Sequence, residues 1–235
     1  INGGYGLAQL PTGKAVLVRY ALPGETVSIS LVRQQKRFDY AVVAEVIEPS
    51  PDRIAAPCPY YQRCGGCDLQ QANYTAQCRL KDEIIRDLLS GSESKTLRQS
   101  VSRLRPIIGS ADHFGYRQRI RLKIDERGNP GFSHFRSHKI VSINNCLLAT
   151  EPINTCLSEL RAHAEFKHLG SLSEELELSL NQLSGKVSLH LILGRPPRPA
   201  DRRRAQTLAA DIDILDRLFF SGQNFAQEGP FGDGE

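Results

Sequence analysis

The 235-residue sequence contains no methionine, not even at position 1. Random loss of every methionine from a natural chain of this length is improbable. The expectation is therefore a sequence missing its start, some of its methionines, or both, with spacings short by a residue or so where one has gone. Also lacking is any apolar run near the ~18–20 residues that a membrane-spanning helix needs, so no membrane partner is expected. The opening Ile1-Asn2-Gly3-Gly4-Tyr5 has the build of neither a signal nor a transit peptide. No internal repeat and no long low-complexity tract is present. Hydrophobic residues at 40% and charged residues at 24% are ordinary globular usage, which excludes wholesale disorder. The length allows two compact domains with ample cores. These absences lead to the expectation of a soluble, cytoplasmic protein.

What is present is concentrated. The net charge is only +4, so its placement carries the information. Six cysteines stand at 58, 64, 67, 78, 146 and 156, and without a secretory signal such a set reads as metal binding before disulfides.

Residues 1–57 read as all-β. Lys14–Tyr20 is a strand candidate, Leu22-Pro23-Gly24-Glu25 a turn, and Glu25–Val32 alternates with the period of a half-buried strand. Phe38–Ile47 supplies a further strand, and Glu48-Pro49-Ser50-Pro51-Asp52 a linker. Short strands with glycine turns suggest a small closed barrel, because closure removes exposed edges. A helix is expected over Tyr74–Leu89 from the stripe Leu80, Ile84, Ile85, Leu88, Leu89, then a polar loop over Ser90–Lys95. Strands at 116–124, 138–143, 174–180, 186–193 and 214–220 and helices near 151–166 and 200–211 make the remainder an α+β domain with a mostly antiparallel sheet.

Cys58-x5-Cys64-Gly65-Gly66-Cys67 places three thiols within ten residues. Thiolates are soft ligands that suit iron–sulfur clusters or zinc. The two glycines let the backbone fold tightly enough for amide N–H groups to point at sulfur. Zinc sites built from cysteines usually pair two Cys-x2-Cys knuckles, and only one is present, which favours iron–sulfur. Buried cysteines without metal are the plain alternative. A fourth ligand would come from Cys146 or Cys78, since Cys156 sits inside a helical pattern.

The second dense feature is Tyr116-Arg117-Gln118-Arg119-Ile120-Arg121-Leu122-Lys123-Ile124. In a strand Arg117, Arg119, Arg121 and Lys123 share one face and the apolar residues the other. Six cations and one Asp lie between Arg103 and Lys123. Phosphate backbones are the usual partner of such a surface. The plain alternative is a solvated face paired with carboxylates of a neighbouring strand, such as Glu174-Glu175-Leu176-Glu177. Arg202-Arg203-Arg204, with Arg195 and Arg198 before it, forms a second basic cluster on a predicted helix, read equally well as a solvated helix face.

These residues carry a resemblance. Cys58-Pro59-x4-Cys64-Gly65-Gly66-Cys67-Asp68-Leu69-Gln70, with Tyr74, Gln77 and Lys81 after it, resembles the cluster signature of the RNA uracil-5-methyltransferase family. Ser137-His138-Lys139-Ile140-Val141-Ser142-Ile143-Asn144-Asn145-Cys146 is similar to the family's downstream segment, which implies Cys146 as fourth ligand of a 4Fe–4S cluster. Gly4-Tyr5-Gly6-Leu7-Ala8, Gly13-Lys14-Ala15-Val16 and Leu22-Pro23-Gly24-Glu25-Thr26-Val27 are similar to the TRAM domain, an OB-like RNA-binding barrel of the ribosomal-RNA branch. Tyr116-Arg117, Gly131-Phe132, Arg136 and His138 resemble the central RNA-facing domain, the last four placed on one strand pair. Phe225-Ala226-Gln227 resembles the family's Phe-x-Gln motif, which associates Gln227 with the S-adenosylmethionine and target-base site.

The resemblance implies a 23S ribosomal RNA uracil-5-methyltransferase acting as a monomer. The implied division is a TRAM barrel over 1–57, a cluster loop and central domain over 58–220, and the start of a catalytic domain over 221–235. The family's chemistry uses a cysteine that attacks uracil C6 and a carboxylate that removes the C5 proton. No remaining cysteine stands in the family's Ser-Cys-Asn-Pro context, so no catalytic residue is assigned and the Rossmann-like methyltransferase domain is expected to be absent from this chain. The alternative is a stand-alone RNA-binding module with a structural metal and no catalysis. A radical methylthiotransferase, which also carries a TRAM domain, fits poorly because x5 replaces the x3 of its cluster motif.

Overall fold

The computed structural model describes residues 3–232, which divide into two units: residues up to 62 with 67–111, and 63–66 with the residues from 112 onward. The first unit opens with β1 (Tyr5–Gln9), β2 (Ala15–Arg19), β3 (Thr26–Arg33) and β4 (Phe38–Glu48) in the order β1-β2-β4-β3. Val16, Val18 and Ala41 are its buried centre, with Val27, Ile29 and Val43 packed against them. The expected closed barrel is corrected here. The eleven-residue β4 takes β2 in parallel on one side and β3 in antiparallel on the other, so among the described residues β1 and β3 end an open sheet.

The segment after β4 is less of a free linker than its prolines suggest. Glu25, fully buried, accepts from the amides of Leu22 at 2.8 Å and Ser50 at 3.2 Å and pairs with Arg53, tying the turn before β3 to the end of β4. Burial alone would raise the Glu25 pKa, but the Arg53 and amide hydrogen bonds outweigh it and hold the carboxyl below its ordinary value. Helix α1 (Tyr74–Ser90) starts at Asn73, whose Oδ1 accepts from the Ala76 amide at 2.9 Å. The expected polar loop closes at α2 (Lys95–Ser100), a helix not read from sequence and capped by the Ser94 hydroxyl.

The second unit is built on one seven-stranded sheet: β5 (Arg119–Ile124), β6 (Pro130–Ser133), β7 (Ile140–Ser142), β8 (Ser173–Leu180), β9 (Val187–Leu193), β10 (Leu215–Gly222) and β11 (Phe225–Phe231). Its order is β11-β10-β9-β8-β5-β6-β7, with β9 and β10 parallel and the other neighbours antiparallel. The expected boundary at residue 220 falls inside β10, and β11 pairs with β10 as the sheet's edge.

Helices α3 (Glu151–Ala162) and α4 (Ala164–Ser171) pack on β8, and α5 (Pro199–Asp211) on β10 and β11. The expected single helix breaks at His163, which takes extended geometry and caps α4, its Nδ1 accepting from the Glu165 amide at 3.2 Å. Ile153, Leu157, Leu160, Phe166, Leu169 and Leu208 from the helices bury against Leu122, Leu176, Leu178, Leu189, Leu191 and Phe220 of the sheet. Each of those side chains gains roughly 1.5–3 kcal/mol from full burial. No helix among the described residues is long and apolar enough to cross a membrane.

Candidate nucleic-acid interface

Strand β5 alternates exposed and buried without exception: Ile120, Leu122 and Ile124 enter the core while Arg119, Arg121 and Lys123 stand on the opposite face. Strand β8 runs beside it in the register Arg121↔Glu177 and Lys123↔Glu175, which puts two carboxylates on that same open face. Arg119 pairs with Glu177 at 2.6 Å, and Arg121 and Lys123 both pair with Glu175. Burial works to raise the Glu175 pKa, but hydrogen bonds from Lys123 and Arg121 prevail and keep it below its ordinary value. Three of the four cations are thus answered by carboxylates. Arg117 lies before β5; its amide donates to Leu148 O at 2.7 Å and its carbonyl accepts from Thr150 N at 2.9 Å.

A groove of about 740 Å3 runs along this face, lined by Arg121, Lys123 and Glu175, by Phe132 and Ser133 of β6, and by residues 134–138 of the β6–β7 turn. It gathers Arg121, Lys123, Phe132, Arg136 and His138 of the residues named from sequence, and leaves out Arg117 and Arg119. The strand pair expected to carry all four later residues carries only Gly131 and Phe132. Arg136 and His138 are exposed in the turn, Arg136 at φ 49° with its guanidinium 5.3 Å from the Phe135 ring centre. A second groove of about 590 Å3 adjoins the first, sharing Arg121, Lys123 and Glu175 and continuing to the β10–β11 hairpin at Gln223–Phe225.

The glycines of the cysteine loop also line the first groove. Cys64 bridges to His134, and the Gly65 amide donates to Ser133 O at 3.0 Å. A Cβ at Gly65 would meet that oxygen at 3.0 Å and the Phe135 backbone at 3.1 Å, a tight contact that glycine avoids. The Gly66 amide donates to Cys64 Sγ at 3.4 Å, the amide-to-sulfur geometry expected of the two glycines. His134 was not found from sequence: its place depends on pairing seventy residues apart, and nothing local signals it.

The donor set, four thiols, suits a soft metal centre. Cys58 and Cys67 belong to the first unit and Cys64 and Cys146 to the second, and among the described residues no three His, Cys, Asp or Glu side chains group to hold a metal ion. The structure therefore brings the four thiols together in neither unit, and no chemical step is derived through a cluster. Cys146 is nonetheless held firmly: Asn154 of α3 accepts from its amide at 2.8 Å and donates to its carbonyl at 3.1 Å. Cys78 lies in the first unit beside Gly109. Cys156 is buried in α3, within the helical pattern read from sequence, and desolvation pushes its thiol up to about 12.

Gln227 is exposed on β11 and lines neither of these two grooves. Three of the five arginines of the second basic cluster are paired: Arg202 binds Glu228 at 2.6 Å, Arg204 binds Glu165, and Arg195, before the helix, binds Asp201 at 2.7 Å.

Comparison with known proteins places these features in context. The chain is 37% identical over 218 residues to the 23S rRNA (uracil(1939)-C(5))-methyltransferase RlmD of Halomonas elongata, covering 88% of this chain and 42% of that protein. It is 37% identical over 166 residues to an uncharacterized RNA methyltransferase of Aquifex aeolicus, covering 68% of this chain and 36% of that one. Its relatives are RNA methyltransferases. The chain spans about two fifths of the length of these relatives. No family model matches it.

Among solved structures, the chain resembles the Pyrococcus abyssi tRNA (uracil-54, C5)-methyltransferase in complex with S-adenosyl-L-homocysteine. The TM-score is 0.60 at 19% identity, over 99% of this chain and 55% of that one. This corrects the expectation that the Rossmann-like methyltransferase domain is absent from the chain: over 99% of its length, the seven-stranded sheet included, its fold matches 55% of a methyltransferase chain.

Proposed function

We propose that this chain belongs to an S-adenosylmethionine-dependent 23S rRNA uracil-C5 methyltransferase of the cytoplasm, and that it supplies the RNA-recognising and cluster-holding part. The observation that carries this reading is the groove on the open face of the seven-stranded sheet. It collects Arg121, Lys123, Phe132, Arg136 and His138 beside the glycines of the cysteine loop, and cations beside an aromatic ring suit a single-stranded, base-exposed RNA segment. Arg117 and Arg119 extend the cationic edge toward the same partner. The relatives' names support the substrate class.

S-adenosylmethionine supplies the methyl group in this reading. The chain's own residues bind and orient the RNA so that a uracil is presented to it. Gln227 is proposed as a contact to the cofactor and target base on its Phe-x-Gln motif alone. Cys58, Cys64, Cys67 and Cys146 are proposed as ligands of a structural 4Fe–4S cluster, supported by thiolate softness and by the Gly66 amide aimed at Cys64. The four-stranded sheet of residues 1–57 is proposed as an accessory RNA contact of the TRAM kind.

The deciding experiment is transfer of a labelled methyl group to 23S rRNA by the full-length protein, with the product base identified as 5-methyluracil. Methylation at another base or of tRNA alone overturns the assignment. For the cluster, anaerobically purified protein should hold iron and acid-labile sulfide. Cys146→Ser should lose both while Cys78→Ser keeps them. Zinc without sulfide overturns it.

A further inference from the structure

The three cations of the open face do not present three charges. Arg119, Arg121 and Lys123 are 70, 62 and 53% exposed, while their partners Glu177 and Glu175 are only 17 and 14% exposed. The carboxylates therefore sit low on the sheet and the cations arch over them, leaving one net positive charge. Arg121, Lys123 and Glu175 line both grooves, so an RNA strand passing from one groove to the other crosses this triad.

We propose that Glu175 and Glu177 are specificity-determining counter-ions, which make phosphate compete for the three cations and so reject RNA that offers charge alone. The inference rests on the reading of this face as an RNA surface.

A guanidinium carries five donors, and the Arg119–Glu177 hydrogen bond engages one terminal nitrogen, so Arg119 can also donate to a phosphate while keeping its carboxylate. Such a shared arrangement demands a particular phosphate position. An RNA whose backbone follows both grooves meets Arg121, Lys123 and Glu175, with Arg119 and Glu177 beside them on the same face. A generic polyanion must instead displace the carboxylates, which stay behind half-buried and unpaired. Selectivity thus comes from an element that acts against the wrong ligand as well as from attraction to the right one. Glu174 also lines the second groove but is exposed and lies outside the three pairs, so no cation there is committed to it.

The test compares Glu175→Gln and Glu177→Gln with Glu126→Gln, an equal charge change in the exposed turn after β5. Each is measured against a single-stranded poly(A) 12-mer and a 23S rRNA transcript across a salt series. The two paired-site variants should bind poly(A) about 3–10-fold more tightly at 0.1 M salt, with a log–log salt slope steeper by ~0.7 for each cation released. The transcript should gain less, so the preference for it narrows, and Glu126→Gln should change neither ligand appreciably. Equal tightening toward both RNAs by all three variants would mean net charge alone and overturns the proposal. Weaker binding of both RNAs at the paired sites would make the carboxylates mere organisers and overturns it too. If the parent chain binds the transcript and glutamine leaves poly(A) unchanged, only the counter-ion inference fails. If the parent binds neither RNA, the RNA reading of the face fails with it.

Discussion

The two faces of the seven-stranded sheet are made from the same strands and behave in opposite ways. On the helix-covered face Ile120, Leu122, Leu176, Leu178, Leu189 and Leu191 are buried to within a few per cent, and any aliphatic residue of the right volume would serve nearly as well. On the open face the residues between them are Arg119, Arg121, Lys123, Glu175, Glu177 and His190, where identity and register both matter. His190 pairs in register with Glu177 and with Phe219, and burial lowers its pKa, so it contributes little charge at neutral pH. One face supplies stability and the other chemistry, and the period-2 geometry of the strand lets each be changed with little effect on the other.

The largest way to break that division is in the core. Leu122→Ala, at a fully buried site, should cost about 2–5 kcal/mol in a denaturant titration. RNA affinity per folded molecule should stay within about twofold, and a large affinity loss in the folded fraction would mean the faces are coupled.

Next comes Asp201 at the start of α5. Burial alone would raise its pKa, but hydrogen bonds from Arg195, the Arg198 amide and His168 bring it down to about 2. Because the folded value lies below the ordinary 3.8, the stabilisation is fully present above pH ~4 and is lost as pH falls through about 2. Asp201→Asn should lower stability at neutral pH by about 2 kcal/mol, and the gap from the parent should close as the pH drops toward 2. A constant gap across that window would show that geometry, rather than ionisation, gives Asp201 its value.

The smallest effect on stability, and the sharpest on binding, belongs to Arg119→Glu with Arg121→Glu. Both side chains are mostly exposed, so unfolding should move by only about 1–2 kcal/mol even with Glu175 and Glu177 left facing new carboxylates. RNA affinity should fall roughly tenfold or more at 0.1 M salt, with a flatter salt dependence. Unchanged affinity would mean that the cationic edge is only a solvated face.

The elements that could be read along the chain were those with a clean period. The alternation of β5, the apolar stripe of α1 and the Gly-Gly turn that points an amide at Cys64 were each legible, because each depends on residues within a few positions of one another. The misses were long-range. Closure of the first sheet failed because β4 is long enough to take β2 and β3 on its two edges, a fact of pairing rather than of any one strand. The helix read across 151–166 broke because His163 had a better role as a cap than as a helical residue. That Phe225–Phe231 hydrogen-bonds to β10 as the edge strand of the same sheet was likewise not legible along the chain.

The candidate site divides in the same way. That Arg119, Arg121 and Lys123 share a face follows from the two-residue period of a strand, and that thiols at 58, 64 and 67 form a soft donor set follows from their chemistry; both are properties of short segments. Only the tertiary structure decided that Glu175 and Glu177 answer those cations. It also decided that His134 and the Gly65–Gly66 backbone meet at one groove and that Asn154 clamps the backbone at Cys146. Each of these depends on strand register or on a hydrogen bond between residues that only folding makes neighbours, and local sequence carries no energy term that could specify them.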